Sequence, residues 1–306
     1  MRGAKRPRTR EATPRGRLKL LNYRRHTALL YCALSIAVLV CAQPASAWDS
    51  ATHRAIARIA VAALPPSPLK STLSRNEDAL ETRSVEPDSV LKKEYGKAEE
   101  RRHYINIEWF GSDPWSALNP DIRKMRRRFT DRTLARAGTL PWTIGAVSDQ
   151  LESAWRRGDC DAVLRLSGYL AHYVGDASQP LHSTINYDGY ARDRGIHARI
   201  ELAVDHSLPE LEPMAAREVR LEDINDVWTP TIAEIRDANG LVAAVIRDDR
   251  AARDAGDYSR RGYQRAVMHA DGAMFARQIA RAASVLASIW LYQWHRAGSP
   301  ASCAGQ

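Results

Sequence analysis

Eleven residues constrain this chain more than any others: His172-Tyr173-Val174-Gly175-Asp176-Ala177-Ser178-Gln179-Pro180-Leu181-His182. His172 and Asp176 stand four apart, so a helix puts them on one face. Pro180 then ends that helix, which lets His182 enter from a second direction. A second four-residue pair, His197 and Glu201, follows shortly. Neutral imidazole plus carboxylate is an ordinary zinc ligand set. One such pair fits a solvated helix face equally well. Two pairs with His182 between them point to a metal centre.

The N-terminal segment bears on the same chemistry. Residues 1–47 hold ten Lys or Arg against Glu11 alone, then an apolar run from Ala28 to Ala42, then Ala45-Ser46-Ala47. That order is a signal peptide with an Ala-x-Ala cleavage site, and the run is too short to span a membrane. Arg24-Arg25 hints at twin-arginine export. Cleavage after Ala47 leaves Trp48 as the new N-terminus, and a free α-amino group with a pKa near 8 can deprotonate and bind a metal. His53 lies five residues on. The formal charge of +9 is carried by this leader, because residues 48–306 hold 35 basic and 35 acidic side chains. A strongly basic nucleic-acid footprint is therefore absent. Cys32 and Cys41 leave with the leader. Cys160 and Cys303 remain, and an oxidising compartment allows them one disulfide.

The pattern beyond residue 48 is helical almost throughout, with little alternation of strand type. Helices are expected over Thr52–Leu64, Leu69–Leu80, Trp115–Ala137, Thr143–Arg157, Ala162–Asp176, Gly195–Ser207, Leu221–Arg236, Leu241–Ala252 and Arg261–Trp294. Residues 84–114 read as mostly loop and hold Asp88 and His103. The expectation is an all-α fold: one helical domain over residues 48–296, with a disordered tail at 297–306. No second apolar span suggests a transmembrane segment in the mature chain.

Nine histidines are present, and five of them (His53, His103, His172, His182 and His197) fall in these motifs. His206, His269 and His295 read as ordinary surface or core residues. The order Trp48, His53, Asp88, His103, His172-x-x-x-Asp176, Gln179-Pro180-Leu181-His182, His197-x-x-x-Glu201 resembles the trinuclear zinc phosphodiesterases. That superfamily joins the single-strand-specific nucleases of the S-one/P-one type to the bacterial zinc-dependent phospholipases C.

The resemblance implies an all-α fold and three zincs per chain. One would be held by Asp88, His103, His172 and Asp176. A close neighbour would take the Trp48 amino nitrogen and carbonyl oxygen, His53, and Asp176 as a bridge. The third would be held by His182, His197 and Glu201. Catalytic roles then fall to Asp176 as the bridge and to Asp88, which orients the attacking water.

The Trp48–His53 and Asp88–His103 spacings are similar to the nucleases. Glu201 and the short Gly195-Ile196-His197 approach resemble the phospholipases. In the nucleases an aromatic after the second histidine stacks a base and a polar residue two further on reads its edge; Tyr104 and Asn106 hold those positions. The nucleases also carry a basic residue where this chain has Leu91, with Lys92 or Lys93 as substitutes. The expectation is a periplasmic or secreted endonuclease that prefers single-stranded nucleic acid and leaves 5′-phosphates. The alternatives are a zinc-dependent phospholipase C acting on phospholipid headgroups and a non-catalytic zinc-binding protein. No obligate protein partner is implied.

Overall fold

The computed structural model describes Gly3, residues 50–255 and residues 259–303. Trp48, the remainder of the expected signal peptide and residues 304–306 lie outside the described residues. Those from Ser50 onward belong to one compact unit. Among the described residues there is no strand, and seven helices reach ten residues or more. They are α1 (Ser50–Ala63), α2 (Glu77–Glu86), α3 (Leu140–Arg157), α4 (Cys160–Ser178), α5 (Ile196–Glu218), α6 (Trp228–Asp254) and α7 (Arg260–Arg296).

Local signals explain most boundaries. Two orphan backbone N–H groups at the start of α1, those of Ala51 and Thr52, donate to the Asp205 carboxylate of α5 at 3.0 and 2.9 Å. This caps α1 and aims it at its neighbour. Gly158 ends α3 in the left-handed conformation, with φ +66°, which an L side chain resists. Asp159 then caps α4 by accepting from Ala162 N at 3.1 Å.

Helix α4 is the centre of the molecule. It packs against α1, α2, α3, α6 and α7. Every residue from Leu170 to Ser178 is buried, whichever face it occupies. A helix enclosed on all sides normally carries only apolar residues, yet this one encloses His172 and Asp176. Two glycines allow the close crossings. A Cβ on Gly168 would lie 2.4 Å from Arg83 Cβ of α2, and one on Gly175 would lie 2.8 Å from His53 Nδ1 of α1.

Several expected boundaries are corrected. Asp88 is not in a loop: it sits in a π-helical turn, Pro87–Leu91, that continues α2. Pro87 reads as a stop, but its φ of −53° is helical, and the widened turn closes through Lys92 N to Pro87 O. The helix expected over Trp115–Ala137 is three short ones, Pro114–Ala117, Ile122–Arg128 and Asp131–Ala137, because Asp121 and Thr130 are extended residues that cap the second and third. The break expected between Arg236 and Leu241 is absent, since Gly240 is accommodated inside α6. The tail expected to be disordered is held over 297–303: Cys303 is buried, bonded to Cys160, and donates its N–H to Thr72 Oγ1 at 3.0 Å.

Candidate metal centre

Six segments deliver side chains to one buried cluster. Helix α1 supplies His53, the π-turn supplies Asp88, and the segment after the short helix Lys97–Glu100 supplies His103. Helix α4 supplies His172 and Asp176. The 3-10 turn Pro180–Ser183 supplies His182, and α5 supplies His197 and Glu201. Three groups place one ligand atom per residue within 4.8 Å of each other: His53, His172 and Asp176; Asp88, His103 and His172; and His182, His197 and Glu201. Asp176 touches across these groups. One oxygen lies 3.0 Å from His103 Nδ1 and 3.4 Å from His172 Nε2, and the other lies 3.6 Å from both His53 Nε2 and His182 Nδ1.

Backbone carbonyls fix two imidazole tautomers. His172 Nδ1 donates to Ser84 O at 2.8 Å, and His182 Nδ1 donates to His103 O. A carbonyl only accepts, so each ring's Nε2 is left with a lone pair facing the cluster. His182 Nε2 faces His197 Nε2 at 3.0 Å, and Glu201 lies 2.7 Å from the latter. Gln179 steadies Glu201 by donating from Nε2 at 2.8 Å. The approach to His197 is pinned by Asp193, which is fully buried and ion-paired with Arg250 and Arg253 of α6.

The electrostatics call for a cation. Burial pushes Asp88 up to about 6 and Asp176 well above the carboxylate range, with the mutual charge of the two carboxylates adding to the latter. Burial likewise drives His53 and His172 well below the ordinary imidazole value and His103 to about 3. Glu201 and His197 are the exceptions: their mutual attraction outweighs burial, holding Glu201, with help from His182, at about 2 and raising His197 above the ordinary imidazole value. Both nitrogens of His53, Asp176 Oδ1 and His197 Nδ1 are buried without a hydrogen-bond partner. Orphaned buried atoms of this kind carry a penalty of about 1–3 kcal/mol each, which bound metal removes. Donor chemistry, burial and orphaned atoms thus all fit zinc.

The two residues expected to contact substrate lie at a surface cleft. Tyr104 is half-buried with its ring against Gly138, where a Cβ would lie 2.6 Å from Tyr104 Cδ2. Asn106 Nδ2 donates to Arg136 O at 3.0 Å. Both line a surface cleft with Lys97, Arg101, Trp109 and Ile185. Lys92, not Lys93, reaches the site and ion-pairs with Asp88. Sequence reasoning missed Glu99, buried four residues before His103 in a run of charges that reads as solvated.

A family model described as zinc dependent phospholipase C matches residues 52–237, more than half of the chain. The chain belongs to the zinc-dependent phospholipase C family, a family of phosphodiester hydrolases. Two solved structures are similar to it. Alpha-toxin of Clostridium perfringens, from an avian strain, shares 16% identity at a TM-score of 0.50, over 84% of this chain and 66% of the toxin. Alpha toxin from Clostridium absonum shares 15% identity at a TM-score of 0.47, over 80% of this chain and 64% of the toxin. At such identity the likeness speaks to the helical fold alone, and the chain spans no more than about two thirds of either toxin. No curated protein gives a significant match. The family match favours the phospholipid alternative over the expected single-stranded nucleic acid.

Proposed function

We propose that this chain is an exported phospholipase C that hydrolyses the headgroup phosphodiester of phospholipids with three zincs. Asp88, His103, His172 and Asp176 would hold one; His53, Asp176 and the Trp48 terminus a second; His182, His197 and Glu201 the third. Bound zinc supplies positive charge that acidifies water and polarises a phosphoryl oxygen. The chain's own residues orient and shield: Asp88, tethered by Lys92, stands at the edge of the cluster to orient a water, and the buried imidazoles keep bulk solvent away. The Cys160–Cys303 disulfide supports an oxidising compartment, secreted or periplasmic.

One observation carries the choice of lipid: the exposed apolar rim beside His197. Tyr187 is 52% exposed with its ring 5.8 Å from that of His197, Ile185 is 47% exposed, and Trp109 is 37% exposed beneath the Arg136 guanidinium. Amphipathic aromatic side chains with nearby cations suit a bilayer interface. No helix among the described residues is long and apolar enough to cross a membrane.

Purified protein beginning at Trp48 should be assayed side by side on phosphatidylcholine vesicles, single-stranded DNA and RNA. Release of phosphocholine without nucleic-acid cleavage is expected. Cleavage of nucleic acid without lipid hydrolysis would overturn the proposal.

A further inference from the structure

Glu99 has no part in the chemistry above, yet its carboxylate is 1% exposed beside the metal residues. Three groups meet it. Tyr173 Oη donates to Oε1, Arg102 Nη1 donates to Oε2 at 2.8 Å, and His103 Nε2 lies 3.3 Å from Oε1. Each partner is a metal-site residue or its chain neighbour, because Arg102 precedes His103 and Tyr173 follows His172. The Tyr173 ring also meets both imidazoles edge-on, at centroid distances of 5.4 Å to His103 and 5.6 Å to His172.

The other edge of the His103 ring faces the cluster. Its Nδ1 is 2.9 Å from His172 Nε2, 3.0 Å from Asp176 Oδ2 and 3.4 Å from Asp88 Oδ1. The ring therefore stands between a ligand cluster on its Nδ1 side and a single carboxylate on its Nε2 side. No backbone carbonyl fixes its tautomer, unlike His172 and His182.

We propose that Glu99 is a positioning residue of the metal centre: its carboxylate keeps the His103 proton on Nε2, so that the Nδ1 lone pair faces the cluster. A carboxylate is negative and only accepts, so it favours the tautomer whose N–H is on the nitrogen facing it, and a neutral imidazole has one N–H to give. The approach is off-line for a full hydrogen bond, and Arg102 and Tyr173 hold the carboxylate against the ring. Without Glu99 the proton is free to move to Nδ1, where Asp176 accepts it and the lone pair is lost to the metal. The inference rests on the zinc reading of the cluster and adds to it a residue that touches no metal.

Removing an outer carboxylate of this kind typically costs 10- to 100-fold in metal affinity. Zinc affinity of Glu99→Gln, read by competition with a chromophoric chelator, should fall by about that range. Glu99→Asp should recover part of it, and the exposed neighbour change Glu100→Gln should have no effect. Unchanged zinc affinity in a folded Glu99→Gln overturns the role even if its melting temperature drops. A second measurement needs no variant: histidine nitrogen NMR of the zinc-loaded wild type should show His103 protonated on Nε2, and a proton on Nδ1 overturns the proposal. A wild type that binds no zinc overturns the metal reading together with this one.

Discussion

Gly175→Ala tests how α1 is brought to the metal centre, and its sign is informative. An ideal Cβ at position 175 lies 2.8 Å from His53 Nδ1, 3.1 Å from His53 Cε1 and 3.2 Å from Ile56 Cδ1. Non-bonded carbon contacts are comfortable only at about 3.5–4.0 Å, so the imidazole must retreat by roughly half an ångström or more. His53 and Ile56 are both buried on α1 and have little room to do so. Overpacking of this kind costs about 1–3 kcal/mol. Replacing Gly by Ala inside a helix returns about 1 kcal/mol, leaving a net loss near 1 kcal/mol, or about 2–4 °C for a domain of this size. Gly240→Ala is the control. It lies in the interior of α6 with nothing within 4 Å of its Cβ, so only the propensity gain remains and the melting temperature should rise by a similar amount. Thermal unfolding and zinc titration of both variants provide the assay. Gly175→Ala should melt lower and bind the zinc shared by His53 and Asp176 more weakly. If it melts higher, as Gly240→Ala should, with zinc stoichiometry unchanged, the close crossing of α1 and α4 does not position His53.

Three further outcomes follow from the same geometry. Glu234 is fully buried with neither carboxylate oxygen partnered, and burial pushes its pKa well above 4.5. As pH rises past 4.5 the unfolded chain loses that proton while the folded chain keeps it, so stability falls by up to about 1.4 kcal/mol per pH unit until the folded group ionises. Glu234→Gln should therefore melt like the wild type at pH 4 and higher than it at pH 7, and an equal difference at both pH values would refute this. Asp176→Asn should cost two zincs and Glu201→Gln one, by metal analysis of the purified proteins; a loss of one in each case contradicts the bridge. Cys303→Ser opens a cross-link spanning 143 residues, for which chain entropy gives a loss of about 5 kcal/mol as an upper figure, measurable by denaturant titration.

The candidate ligand set was legible because zinc accepts few residue types, and a helix presents them four apart. His172 with Asp176 and His197 with Glu201 show this directly. The surroundings of the ligands were less legible. Pro87 carries the same stop signal whether it ends a helix or opens a π-turn, so Asp88 looked like a loop residue. Glu99 differs in no local respect from Glu100; only the arrival of Tyr173 from a distant helix buries one and leaves the other exposed. Asp121 and Thr130 were readable as caps, but the unbroken basic pattern around them favoured one long helix. Substrate choice was not legible, because the same ligands serve lipid and nucleic-acid phosphodiesters. The proposed lipid reading rests on the exposed rim at Trp109, Ile185 and Tyr187, where Glu108 of the 3-10 turn Ile107–Phe110 accepts from Thr184 Oγ1 and Ile185 N of the strap after His182.

The Cys160–Cys303 bond divides the ligands into two sets. His172, Asp176, His182, His197 and Glu201 lie inside the covalent ring it closes, while His53, Asp88 and His103 come from the chain ahead of it. Ring and forward segment meet at the cluster, so bound metal would act as a clasp between two parts of the chain that the disulfide does not tie together. Reduction and chelation then loosen different halves. Stripping zinc from the oxidised protein should raise amide exchange first in residues 50–157, with the ring still closed behind them.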